Sequence, residues 1–168
     1  MIKLREAIRN LLIQELGDST EGHRYKRLRS EIEGPHAFVE YEFENAAGYR
    51  YKVRIQTNTA VDIYNGENFA SVDFSAYDRD TGLGMAIVNG NDVFKTMATI
   101  MNIVEDAAES WVPKVENATE TKISMFAFVP MGRGSKDLQR AELYKRFIKN
   151  RLGAAPVENK NKYYVKYK

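Results

Sequence analysis

The chain has no cysteine. That excludes disulfides and thiolate–zinc sites, and an oxidising compartment is not required. Histidine is almost as scarce, at two residues, His23 and His36. No H-E-x-x-H spacing occurs, and a Ser–His–Asp set would have to use one of those two rings. The nucleophile-elbow pattern G-x-S-x-G and the phosphate-loop pattern G-x-x-x-x-G-K-[ST] are both missing. No apolar run approaches the roughly 18 residues a membrane span needs. The first sixteen residues, MIKLREAIRNLLIQEL, interleave acids with bases and lack a small-residue cleavage site. They read as the first helix of a soluble protein and not as a signal peptide. Internal repeats and low-complexity tracts are absent too.

What is present is globular composition. The chain has 168 residues, 43% hydrophobic and 29% charged, enough to bury a core as a single domain. The net charge of +2 conceals an asymmetry: residues 1–132 carry 14 Lys and Arg against 20 Asp and Glu, and residues 133–168 carry 11 against 3. A basic C-terminal fifth on an acidic body fits an acidic partner such as nucleic acid, a phosphorylated ligand or an acidic protein face. It equally fits two halves that neutralise each other within the fold or in a homo-oligomer.

Hydrophobic periodicity predicts an α+β fold: one domain over 1–168, with a mostly antiparallel mixed sheet packed by an N-terminal helix and two later helices. Residues 1–36 form the expected N-terminal helical segment and 37–168 the sheet with two helices. Leu4, Ile8, Leu11 and Leu12 share a stripe that Gly17 ends. Tyr25, Leu28 and Ile32 suit a second short helix, although Arg24 to Arg29 also reads as an exposed strand, and Gly34-Pro35 ends whichever forms. Val39 to Glu44 alternates apolar with acidic residues, and Tyr49 to Ile55 alternates apolar with basic ones. Setting Glu44 opposite Arg50, Glu42 opposite Lys52 and Glu40 opposite Arg54 leaves Ala46-Ala47-Gly48 as a three-residue hairpin loop. A third strand is predicted at 69–77, and a turn over Asp78 to Gly82 leads to a short strand from Met85 to Val88. That turn lacks the third acid and the terminal Glu of a calcium loop. Asn91 or Asp92 caps a long helix with Val93, Phe94, Met97, Ile100, Met101, Val104, Ala108 and Trp111 inward, and Pro113 lies just beyond its end. Ile123 to Val129 reads as a buried strand. Ser135 caps a further helix that stops at Gly153, and Tyr163 to Tyr167 closes the chain as a strand after a polar linker.

The most suggestive local element is Gly132-Arg133-Gly134-Ser135 feeding a helix that bears Lys136, Arg140, Lys145, Arg146 and Lys149. A glycine-rich turn at a helix start offers free N–H groups and the positive end of the dipole, so these residues are candidates for holding an anion or nucleic acid. An ordinary strand-to-helix connection would use the same glycines only to turn. Tyr163-Tyr164-Val165-Lys166-Tyr167-Lys168 alternates aromatics with lysines, a composition that suits stacking on a single strand. In a closing strand those tyrosines would face the core.

The order of elements resembles the GNAT (Gcn5-related N-acetyltransferase) fold, best at Ala141-Glu142-Leu143-Tyr144-Lys145-Arg146, Gly153 and Tyr163-Tyr164-Val165. The resemblance implies an acyltransferase with acetyl-CoA as cofactor and Tyr144 as general acid. It departs from the family at Val88-Asn89-Gly90-Asn91-Asp92-Val93, where a Q/R-x-x-G-x-G/A pyrophosphate signature belongs. The helix Arg140 to Arg146, of pattern R-x-x-L-Y-x-R, also resembles one that recurs near the C-terminus of small uncharacterised proteins of tailed bacteriophages. That likeness implies a virion component or a protein made in the host cytoplasm during infection. The leading expectation is a non-catalytic binding or structural protein with no cofactor and no membrane, whose partner is another protein or itself. A divergent acyltransferase and a nucleic-acid binder are the alternatives.

Overall fold

The computed structural model describes residues 22–45, 48–77, 84–85, 93–128, 149, 157–159 and 162–167. The strands are β1 (Tyr25–Glu33), β2 (His36–Glu44), β3 (Arg50–Asn58), β4 (Ile63–Tyr64), β5 (Glu67–Tyr77), β6 (Gly84–Met85), β7 (Ile123–Phe128), β8 (Val157–Asn159) and β9 (Lys162–Lys166). Two helical segments, α1 (Val93–Ser110) and α2 (Val112–Thr119), lie between β6 and β7. The expected α+β class is observed, as an open sheet with a bent helix on it. Strands run in the order β1-β2-β3-β5-β7-β9-β8, with the two-residue β4 and β6 appended to β5. Among the described residues, every pairing is antiparallel except β5 with β7. The parallel pair follows from the connection, because a strand returning in the same direction needs a crossover and α1–α2 supplies it.

The β2–β3 hairpin has the register that its charge pattern predicts: Glu40↔Arg54, Glu42↔Lys52 and Glu44↔Arg50. Its loop closes where Asn45 N–H donates to the Tyr49 carbonyl at 2.9 Å and Gly48 N–H to the Asn45 carbonyl at 3.0 Å. Gly48 takes φ +86°, a backbone that side-chain-bearing residues avoid. Alternation then divides the sheet. Val39, Tyr41, Phe43, Tyr51, Val53, Ile55, Ala70, Val72, Phe74, Phe126 and Val165 face the helix and are buried, while the charged residues of β2 and β3 face the other way.

Three expectations change. Tyr25 to Glu33 is a strand, so the sheet begins at Tyr25 and not at residue 37; between the two readings of that segment, the exposed strand holds. The pairing of β1 with β2 stabilises it, and Gly34 at φ +56° makes the two-residue turn with Pro35 between them. Pro113 lies beyond the end of α1 at Ser110, as expected, but helical structure does not stop there. Trp111 stays in the right-handed helical region, Pro113 occupies the first turn of α2, and the chain continues helically to Thr119. Proline is tolerated there because first-turn N–H groups have no intrahelical acceptor, so it bends the helix without stopping it. Finally, α1 buries more than one stripe. Thr96, Ala98, Thr99, Ile103 and Ala107 join Met97, Ile100, Met101, Val104 and Trp111 in the interior. The chain at Gly22–His23 lies against the helix, where the Thr99 hydroxyl accepts the His23 N–H at 2.8 Å.

Among the described residues, no helix is long and apolar enough to cross a membrane.

Candidate binding groove on the open face of the sheet

The side of the sheet away from α1 carries a polar network that crosses four strands. It starts at β1. Arg29 pairs with Glu40 of β2 at 2.9 Å, and Arg54 of β3 reaches the same carboxylate at 2.8 Å. The Glu40 side chain is only 14% exposed, so the two guanidiniums enclose it. The Arg29 hydrogen bond foremost, and then the charges of Arg29 and Arg54, hold its carboxyl below the ordinary range against the opposing effect of burial. Phe38 lies between the same two cations, with Arg54 4.1 Å and Arg29 5.1 Å from its ring centroid. Arg54 Nε also donates to Gln56 Oε1 at 2.9 Å, and Gln56 Nε2 donates to Asp73 of β5 at 3.3 Å.

Beside this network lies a concavity of about 490 Å³. Phe38, Arg54, Gln56, Ser71, Asp73 and Lys162 line it, with His36, Asn58 and Asp62. Burial pushes the Asp73 carboxyl above its ordinary range, and Lys162, Gln56 and Arg54 counter that only in part. Around Asn58 the chain is held by hydrogen bonds of its own. Asp62 accepts the Asn58 N–H at 2.8 Å, and Asn68 Nδ2 donates to the Thr59 carbonyl at 2.7 Å. The charged lining residues are Arg54 and Lys162 against Asp62 and Asp73, so the groove is balanced in charge.

Next to the groove, Tyr64 stacks on Tyr164 at 4.0 Å, and Phe69 meets Tyr164 edge-on at 5.1 Å. Phe69, Met125 and Ala127 form a second, smaller buried cluster there. The aromatic–lysine alternation at the C-terminus therefore resolves into internal contacts. Tyr163 and Val165 enter the main core. Tyr167 stacks on Phe126 at 4.5 Å and donates its hydroxyl to the Ile123 carbonyl at 2.9 Å. Lys166 pairs with Glu67 at 2.7 Å.

Of the anion-site candidates, Lys149 is described, as an exposed helical residue. Gly132, Arg133, Gly134, Ser135, Lys136, Arg140, Lys145 and Arg146 lie outside the described residues, as does Tyr144. So do the residues of the expected first helix with Gly17, of the expected turn at 78–82 and cap at Asn91 or Asp92, and Gly153. Among the described residues, no three His, Asp or Glu side chains are placed to hold a metal.

Sequence reasoning missed the groove because most of its residues come from β2, β3, β5 and β9 and its polar ones read along the chain only as the polar half of each alternation. One missed piece did have a local signal. Asn65-Gly66, with φ +51° and +77°, is the dipeptide of a two-residue hairpin turn, and it joins β4 to β5 with Tyr64 opposite Glu67. That turn brings Tyr64 onto Tyr164.

In comparisons with known proteins, no family model matches the chain, no curated protein matches it, and no solved structure matches it.

Proposed function

We propose that this is a non-catalytic binding protein that engages a protein partner through the groove on the open sheet face. The observation that carries this reading is the groove's balanced and internally bonded lining. Arg54 is held by Glu40 and Gln56, and Gln56 by Asp73. Such a surface is preorganised for a polar, uncharged strip such as a peptide segment, whose amides can exchange hydrogen bonds with Gln56, Ser71 and Asn58. A phosphate chain would require cations in excess of acids, and two cations against two acids offer none. The likeness of the segment Arg140 to Arg146 to one in small phage proteins supports an assembly role in a virion or during infection.

The test is affinity isolation with the intact chain and with two groove variants, Gln56→Ala and Lys162→Glu, each first shown to melt as the wild type does. The expected result is one defined protein partner, retained by an Asn117→Ala control at an exposed position of α2 and lost by both variants. A partner retained by both variants would overturn the groove assignment. A melting-temperature rise with acetyl-CoA would instead support the divergent acyltransferase, since a ligand that binds only the folded state stabilises it. Salt-sensitive binding of a single-stranded oligonucleotide would support the nucleic-acid reading.

A further inference from the structure

The outer edge of the sheet at β1 is self-complementary, and we propose that it pairs antiparallel with β1 of a second copy about a two-fold axis at Ser30, joining two sheets into one. This is independent of the groove's partner. Among the described residues, β1 stands at the end of the strand order, and eight of its nine residues are exposed. An edge of that length presents a row of peptide N–H and C=O groups that a further strand satisfies. It also carries Leu28 and Ile32, 37% and 38% exposed, two of the large apolar residues that the described surface leaves to water.

The register with β2 is regular from Arg29 onward: Arg29↔Glu40, Ser30↔Val39, Glu31↔Phe38 and Ile32↔Ala37. Ser30 and Ile32 therefore lie on the helix side with Val39 and Ala37, and Arg29 and Glu31 lie on the groove side with Glu40 and Phe38. A two-fold perpendicular to the sheet at Ser30 then sets Arg29 against Glu31 of the second copy on the groove side, a pair that occurs twice, and brings Ile32 opposite Leu28, the residue at the irregularity.

Competing registers fail. A slip of one residue sets helix-side residues against groove-side ones, which the pleat forbids. Centring on Arg29 or Glu31 instead places like charges directly opposite, a destabilising arrangement. The irregularity between Arg27 and Arg29 ends the regular stretch on one side, so the pairing runs from Leu28 to Ile32. Edge strands commonly avoid self-pairing through inward charges; here the charges alternate in sign about the centre and favour it.

The cysteine-free sequence permits a direct test with the full chain. Residues facing their own copies across such an axis have Cα atoms about 4.5–5.5 Å apart, within the span of a disulfide. Ser30→Cys should therefore oxidise rapidly to a covalent dimer, and Glu33→Cys should not. In sedimentation velocity the wild type should run as a dimer. Glu31→Arg alone and Arg29→Glu alone should run as monomers with their melting curves cooperative. An equimolar mixture of the two should recover a dimer, because opposite charges then face each other at both positions. A wild type that stays monomeric at every concentration, or a dimer that Glu31→Arg leaves intact, overturns the proposal.

Discussion

Tyr41 offers the sharpest test of how the sheet is fastened to its helix. Its ring is fully buried, and its hydroxyl donates to Asp106 Oδ2 of α1 at 2.8 Å, a contact between residues 65 positions apart in the chain. Tyr41→Phe removes one oxygen and leaves the ring and its edge-on contact with Tyr25, 5.9 Å away, in place. A hydrogen bond to a charged group contributes about 1.5–3 kcal/mol. Asp106 is partly exposed, so water compensates it in part and the lower end of that range applies, about 1.5–2 kcal/mol. At roughly 2–4 °C per kcal/mol for a chain of this size, the melting temperature should fall by about 3–8 °C. Urea denaturation should show a lower midpoint at an unchanged slope, since no additional surface is exposed. In a double-mutant cycle with Asp106→Ala, the coupling should be at least about 1 kcal/mol. The hydroxyl's pKa is also raised well above its ordinary 10.0, by burial first and by Asp106 next. The stability linked to it is complete below pH 10 and is lost as pH rises toward the folded value, so the wild type should weaken in alkali more than Tyr41→Phe does. Additive single effects and equal alkaline limbs would refute the reasoning.

Three further outcomes are expected. Because burial raises the Asp73 carboxyl above its ordinary 3.8, its stabilising contribution is complete below that pH and disappears as pH rises through the folded value. Asp73→Asn should therefore melt higher than the wild type at neutral pH, with the gap closing on acidification; a loss at neutral pH would mean that Arg54 and Lys162 outweigh burial. Glu40 has the opposite sign, since Arg29 lowers it below 4.5. Its contribution is present above that pH and lost as pH falls through the folded value, so thermal melts of Glu40→Gln and wild type should converge in acid. Gly22→Ala would place a Cβ 2.9 Å from the Thr99 backbone N and Cα. It should cost about 1–3 kcal/mol by overpacking in a denaturant titration, and a neutral result would contradict the close approach of that segment to α1.

Wherever the information was local, the chain by itself determined the structure. The opposite charges on Val39 to Glu44 and Tyr49 to Ile55 specify both the strands and their register, because a one-residue slip would bury the ladder and expose the core. The same period reveals Ala70, Val72, Phe74 and Ala76 on one face, and the buried strand at Ile123. Only the tertiary structure decided between helix and strand for Tyr25 to Glu33, whose composition suits both and whose pairing with β2 settles the matter. It also made Pro113 a bend, since a proline ends or begins helical structure according to what packs after it, and Val112 and Val115 pack into the core. The groove belongs wholly to that second category. Arg54 and Gln56 stand on β3 and Asp73 on its neighbour β5, while Lys162 stands on β9, which reaches this part of the sheet only because the crossover sets β7 beside β5 and β9 pairs with β7. Periodicity assigns each side chain to a face, but strand order, a product of long-range packing, determines which side chains on that face become neighbours.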